Sequence, residues 1–76
     1  MTLDKHQIDG LSKILDKTMP ATRFEQMLIN AGYSKIGSAP AKGNRIKAWW
    51  THLNYRRVEV IYSPDAITVL TAYHAE

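Results

Sequence analysis

The sequence contains no cysteine and no long uninterrupted apolar run. The absence of cysteine among its 76 residues excludes disulfide bonds and metal sites built on thiolates. No stretch approaches the roughly 18 consecutive apolar residues that a membrane-spanning helix needs, and the N-terminal residues carry no apolar secretory core. We therefore expect a single domain over residues 1–76, located in the cytoplasm, with no membrane partner.

Acidic residues are missing from one part of the chain. Residues 35–57 include six lysines and arginines but no aspartate or glutamate. Trp49, Trp50, Tyr55 and His52 are interleaved with these cations. Positive side chains contact phosphates and flat rings stack on bases, so the combination favours a polyanionic partner such as RNA.

Apolar spacing predicts two helices before this basic region. Residues 3–17 place several aliphatic side chains near one face at helical spacing. Residues 20–31 carry Phe24, Met27 and Leu28 at the positions of a core-facing helical stripe. Gly32 then stands where a left-handed helix C-cap belongs.

After Gly32 the hydrophobic period changes from helical to two. Residues 33–36 read as a short strand, followed by a flexible connection over 37–44, and residues 45–51, 56–62 and 67–73 read as three strands joined by short turns. The predicted fold is therefore α+β, with two N-terminal helices packed on one face of a three- to four-stranded antiparallel sheet. The pattern leaves open which face of the last strand is buried.

Strand alternation selects the candidate nucleic-acid-binding residues. Arg45 and Lys47 share one face of a strand, and Arg56 or Arg57 follows on the next, so we expect three cations within roughly 5–10 Å of each other. Converging cations favour a phosphate between them. Lys42 and Trp49 complete the candidate set, which is Lys42, Arg45, Lys47, Trp49 and Arg57. Two alternatives stay open: the charges protect a strand edge from aggregation, or a helix covers Trp49.

Acid–base chemistry is the second possibility at this surface. Cleavage of RNA by its own 2′-OH needs a base, a cation for the phosphorane and an acid for the leaving oxygen. The residue types that suit these parts are His74, His52, Tyr73 and Arg56. No Gly-rich phosphate loop, nucleophile elbow or metal-ligand spacing is present, so we expect neither a metal ion nor a cofactor. The alternative is that His74 ends a frayed strand and has no role.

Three stretches together resemble a known group of proteins. Residues 44–50 (NRIKAWW), 54–62 (NYRRVEVIY) and 67–74 (ITVLTAYH) resemble the sheet of RelE-like ribonuclease toxins, within the wider group of barnase-like, EndoU-like and colicin D-like nucleases. The resemblance implies that Arg45 and Lys47 contact RNA phosphates and that Arg56 stabilises the phosphorane. It also implies that Tyr73 or His74 is the general acid or base.

Two functions follow as expectations. The first is a small RNA-binding protein that acts as a metal-free endoribonuclease of toxin type, neutralised by an acidic antitoxin or immunity protein. The second is a non-enzymatic module that binds nucleic acid or an acidic protein through the same face, as a small phage or plasmid inhibitor would.

Overall fold

The computed structural model describes residues 2–75 and contains one α-helix and a five-stranded antiparallel sheet. The elements are β1 (Met19–Pro20), α1 (Ala21–Asn30), β2 (Ser34–Pro40), β3 (Ile46–Thr51), β4 (Val58–Tyr62) and β5 (Thr68–His74). The spatial order of the strands is β1-β5-β4-β3-β2. The prediction of two N-terminal helices on a three- to four-stranded sheet is therefore wrong.

The expected first helix is absent because the backbone becomes extended at His6 and turns again at Gly10. Of residues 3–17, only Leu3–Lys5 forms a short 3-10 turn. Gly10 has φ of +87°, which an α-helix cannot accommodate. Leu3 and Ile8 are buried in the core all the same, and the Leu3 N–H donates to the Lys17 carbonyl over 2.8 Å. An irregular segment thus satisfies the apolar spacing that suggested a helix.

Helix α1 confirms the second helical prediction. Phe24 and Leu28 are fully buried on its core-facing stripe. At its end Gly32 has φ of +101°, and its N–H donates to the Ile29 carbonyl while the Tyr33 N–H donates to the Leu28 carbonyl. These two bonds form a Schellman motif, so the predicted glycine cap is correct.

Strand β2 extends further than the sequence suggested. It continues through Pro40, where a flexible connection was expected, with an irregularity in its pairing to β3 between Lys35 and Gly37. Gly37 fits here because it lies beneath the Trp49 ring: a Cβ built on it would be 3.5 Å from the indole. The antiparallel meander of β3, β4 and β5 is as predicted.

The two faces of the sheet differ in composition. The face against α1 holds the buried core residues Ala48, Trp50, Val58, Val60, Tyr62, Val69 and Ala72. The opposite face, called the outer face below, carries Lys47, Trp49, Glu59, Ile61, Thr71 and Tyr73, which the strand register aligns in two rows. Trp49 and Trp50 accordingly point to opposite sides, as alternation predicted.

Both Val69 and Ala72 of the last strand are buried, which answers the question that the sequence pattern left open. Ile61 pairs with Thr71 whereas Tyr62 pairs with Val69, so one extra residue enters β5 at this point. This bulge lets both Val69 and Ala72 face the core, although strict alternation would place them on opposite sides.

Candidate nucleic-acid interface

Three of the predicted binding residues line one depression on the outer face. Its volume is about 160 Å³, and its walls are Ala41, Lys42, Arg45, Lys47, Ile61 and Tyr73. We call it the basic depression. Lys47 is the second residue of β3, while Lys42 and Arg45 belong to the hairpin that joins β2 to β3. The depression therefore brings together side chains that are close in sequence and one aromatic ring from β5.

The hairpin bends over the sheet because two of its residues adopt left-handed backbone. Gly43 has φ of +76° and Asn44 has φ of +63°, the residue types that tolerate this region best. The Ala41 N–H donates to the Arg45 carbonyl over 2.8 Å and closes the turn. This local geometry places Lys42 and Arg45 beside Lys47.

The cations of the basic depression differ in their partners. The Lys47 ammonium is 3.6 Å from a carboxylate oxygen of Glu59. Among residues 2–75, Lys42 and Arg45 have no carboxylate within salt-bridge distance and are exposed. The depression therefore holds two positive groups without a negative partner in the described part of the chain.

Glu59 is the functional residue that sequence reasoning missed. It lies outside the acid-free region, yet its register partner on β3 is Trp49, whose indole N–H donates to its carboxylate over 3.0 Å. Burial raises the pKa of the Glu59 carboxyl, but hydrogen bonds from Tyr73 and Trp49 and the charge of Lys47 outweigh it, so the pKa lies below its usual value. Alternation along β4 was the signal that could have found it.

Tyr73 and Trp49 flank this carboxylate on the same face. The hydrogen bond to Glu59, followed by burial, raises the pKa of Tyr73 to about 12. Both rings are half-buried, so part of each is accessible. Trp49 is thus neither covered by a helix nor fully free, and its predicted stacking role stays a prediction.

Arg56 and His74 lie at the opposite end of the sheet. The Arg56 guanidinium is 3.7 Å from the Asp9 carboxylate. His74 Nε2 accepts the Asp9 backbone N–H over 3.0 Å and lies 3.4 Å from the Asp9 carboxylate, and Nδ1 is 3.1 Å from the Arg56 carbonyl. The His74 side chain is only 5% exposed. Both ring nitrogens therefore contact backbone groups, so His74 lies at the end of an ordered strand and not of a frayed one.

His52 has a similar structural environment. Its Nε2 is 2.8 Å from the Ala31 carbonyl and its Nδ1 accepts the Asn54 N–H over 2.9 Å. The ring packs against both Tyr33 and Tyr55, with centroid distances of 4.9 and 4.4 Å, and the two tyrosine rings also stack on each other at 6.3 Å. Both ring nitrogens are engaged by backbone groups, and neither is available to a ligand in this arrangement.

The basic residues consequently divide between two sites. Strand β3 spans six residues, which at roughly 3.3 Å each is about 20 Å from the hairpin to the loop that holds Arg56 and Arg57. Arg45 and Lys47 share the basic depression, but Arg56 is paired with Asp9 beyond the far end of β3. The expected convergence of Arg45, Lys47 and Arg56 is not present. The Arg57 carbonyl accepts the Ala75 N–H at that far end.

Residues 2–75 lack two further features. They contain no helix that is long and apolar enough to span a membrane. In the same residues no three or more histidine and acidic side chains come together as a metal-binding group would require.

Comparison of the chain with protein-family models, with curated proteins and with solved structures finds no match. The resemblance to RelE-like toxins therefore remains a prediction, and the geometry of the side chains has to carry any functional argument.

Proposed function

We propose that this protein is a small non-enzymatic module of the cytoplasm that binds single-stranded nucleic acid, RNA in the first instance, through the basic depression. The observation that carries the proposal is that Lys42, Arg45 and Lys47 line one depression in which two of the three have no carboxylate partner among residues 2–75. Such a cluster is stabilised when a phosphate enters it.

The balance of charge supports an anionic ligand. Glu59 offsets one of the three positive side chains, since its carboxylate is 3.6 Å from Lys47. The remaining positive charge is exposed at the hairpin, where salt screens it but does not neutralise it. A phosphate that bridges Arg45 and Lys42 would exchange repulsion between them for two charge-assisted hydrogen bonds.

The aromatic side chains favour nucleic acid over an acidic protein. Tyr73 lines the basic depression itself, and Trp49 lies in the same row of the outer face on the other side of Glu59. A base that follows a bound phosphate along the outer face would meet these rings, and base–aromatic stacking contributes about 1–3 kcal/mol per base. An acidic peptide would gain the electrostatic part without this stacking.

The geometry gives less support to catalysis. The nitrogens of His74 and His52 are engaged by backbone groups, and Arg56 lies at the far end of the sheet with Asp9. Tyr73, the one predicted catalytic residue in the basic depression, has its pKa raised to about 12 and so exchanges a proton poorly near neutral pH. Endoribonuclease activity, and with it an acidic antitoxin or immunity protein, stays a prediction for the same assay to test.

The experiment compares two double variants that lose the same charge. Fluorescence anisotropy with a labelled single-stranded RNA measures binding by the wild type, by Lys42→Ala/Arg45→Ala and by the control Lys13→Ala/Arg23→Ala, whose cations are exposed elsewhere. We expect the first pair to weaken binding about tenfold, or roughly 1.4 kcal/mol, and the control pair to change it little.

Three outcomes would count against the proposal. Equal weakening by both pairs would mean that net charge alone attracts RNA. No RNA binding even at low salt, together with binding of a polyglutamate peptide, would favour an acidic protein partner. Cleavage of the RNA by the wild type in the presence of a chelator would favour the endoribonuclease instead.

A further inference from the structure

A second depression adjoins the basic depression at the β2–β3 hairpin. Its volume is about 460 Å³, and it is lined by Ser38, Ala39, Pro40, Ala41, Asn44, Arg45 and Ile46. We call it the hairpin depression. It shares Ala41 and Arg45 with the basic depression, so the two are contiguous and Arg45 stands between them.

The walls of the hairpin depression differ from those of its neighbour. Four of its seven lining residues are apolar, namely Ala39, Pro40, Ala41 and Ile46. The polar residues besides Arg45 are Ser38 and Asn44. A largely apolar concavity with few polar groups is the usual form of a small-molecule site.

Asn44 is the polar residue best placed to select a ligand. It is exposed, and its side-chain amide forms no hydrogen bond with any of residues 2–75. Its backbone is held at φ of +63° by the hairpin. An amide presents a donor and an acceptor side by side, which matches the paired donor and acceptor on the edge of a nucleobase.

The geometry points to a nucleotide subsite: the hairpin depression takes a nucleobase of the bound strand, Asn44 hydrogen-bonds its edge, and the adjoining phosphate occupies the basic depression. This inference rests on the proposed function and gives it a base-binding component. Phosphate contacts position a strand, whereas contacts to bases are what distinguish one sequence from another. Arg45, at the junction, would contact the phosphate next to the bound base.

The test separates base contacts from phosphate contacts by changing the ligand. Two labelled oligonucleotides of equal length are compared, one with a base at every position and one fully abasic, which carries the same phosphates. For the wild type we expect the abasic strand to bind at least about tenfold more weakly, since stacking and one base-edge hydrogen bond are both lost.

Two variants then locate the base. Asn44→Gly removes the amide and suits the left-handed backbone, and we expect it to weaken binding of the normal strand about fivefold while leaving the abasic strand unchanged. Ala39→Leu fills the depression and should have the same selective effect. Asn54→Gly, an exposed asparagine at the far end of the sheet, is the matched control and should change neither.

The possible results distinguish this inference from the proposed function. If neither strand binds, the proposed function fails and the base site fails with it. If both strands bind equally well to the wild type, phosphate binding at the basic depression stands, but the base site and base stacking on Tyr73 and Trp49 are both refuted. Equal weakening of both strands by Asn44→Gly and Ala39→Leu would also refute it, because the variants would then act on phosphate binding or on the fold.

Discussion

The indole N–H of Trp49 donates a hydrogen bond to the Glu59 carboxylate across strands β3 and β4, with 3.0 Å between the two atoms. The two residues are direct register partners, so their backbones already hold the side chains opposite each other. Lys47 and Tyr73 converge on the same carboxylate. Glu59 therefore organises the middle of the outer face as well as offsetting one of its cations.

Glu59 should make stability depend on pH in the acid range. The pKa of the Glu59 carboxyl in the folded protein lies below its ordinary value of 4.5, so the carboxylate contributes stability that is present above pH 4.5 and is lost as the pH falls through the lower folded value. We expect Glu59→Gln to lose this contribution and to show a shallower decline in unfolding free energy between about pH 5 and 3. Urea denaturation at a series of pH values measures this pH dependence of the free energy of unfolding, with Asp16→Asn as control. An unchanged acid limb in Glu59→Gln would contradict the assignment.

The salt dependence of binding should report how many phosphates the basic depression contacts. For single strands the slope of log K against log salt is about −0.7 for each phosphate contact. If Lys42 and Arg45 each neutralise one phosphate, the double variant Lys42→Ala/Arg45→Ala should lower the magnitude of the slope by about 1.4. Titrations at several salt concentrations measure this value, and the Lys13→Ala/Arg23→Ala control should keep the wild-type slope. A slope identical in all three proteins would argue against phosphate contacts there.

Two glycines with similar backbone should respond differently to alanine. At Gly43, with φ of +76°, an added Cβ meets no atom within 4 Å, so Gly43→Ala should cost only the left-handed backbone, about 1–2 kcal/mol. At Gly32, with φ of +101°, the Cβ would lie 2.8 Å from His52 Nε2. Gly32→Ala should therefore be more destabilising than Gly43→Ala, because the His52 ring must move as well. Chemical denaturation of both variants measures the difference, and equal losses would mean that the ring yields without cost.

His74 should contribute to stability rather than to chemistry. Replacing it with alanine removes the ring that accepts the Asp9 N–H and contacts the Arg56 carbonyl. We expect His74→Ala to lower the free energy of unfolding by about 1–3 kcal/mol, the usual range for leaving such groups without partners. The exposed His6 supplies the control, His6→Ala. A His74→Ala protein as stable as the wild type would return this histidine to the list of residues with a functional role.

The elements that could be predicted from the sequence are those whose pattern is complete within a short segment. Helix α1 has a complete apolar stripe and its own glycine cap, and the strands of the meander alternate clearly. The prediction of a helix over residues 3–17 failed because Ile8, Leu11 and Ile14 recur every three residues, as in a helix, while the backbone is extended at His6 and turns at Gly10. Period alone could not distinguish a helix from a segment whose burial depends on distant strands.

The candidate site was predicted in part for the same reason. Lys42, Arg45 and Lys47 are close in sequence and remain close in space, so composition found them. The acidic partners of the other candidate residues could not be predicted. Glu59 reaches Trp49 through strand pairing. Asp9 contacts Arg56, and it also contacts His74, which is 65 residues away in the sequence. Charge counting along the chain could not assign these partners, because they depend on the register of the sheet and on the path of the N-terminal segment.

The contact between Asp9 and His74 joins the N-terminal segment to the last strand of the sheet. The Thr2 carbonyl likewise accepts the Thr71 hydroxyl, and Met19 pairs with Val69. On the ribosome none of these contacts can form until β5 has left the exit tunnel. Leu3 and Ile8 therefore reach their final environment only after β5 has been synthesised and has left the tunnel, so the N-terminal segment is among the last parts of the described fold to find its partners.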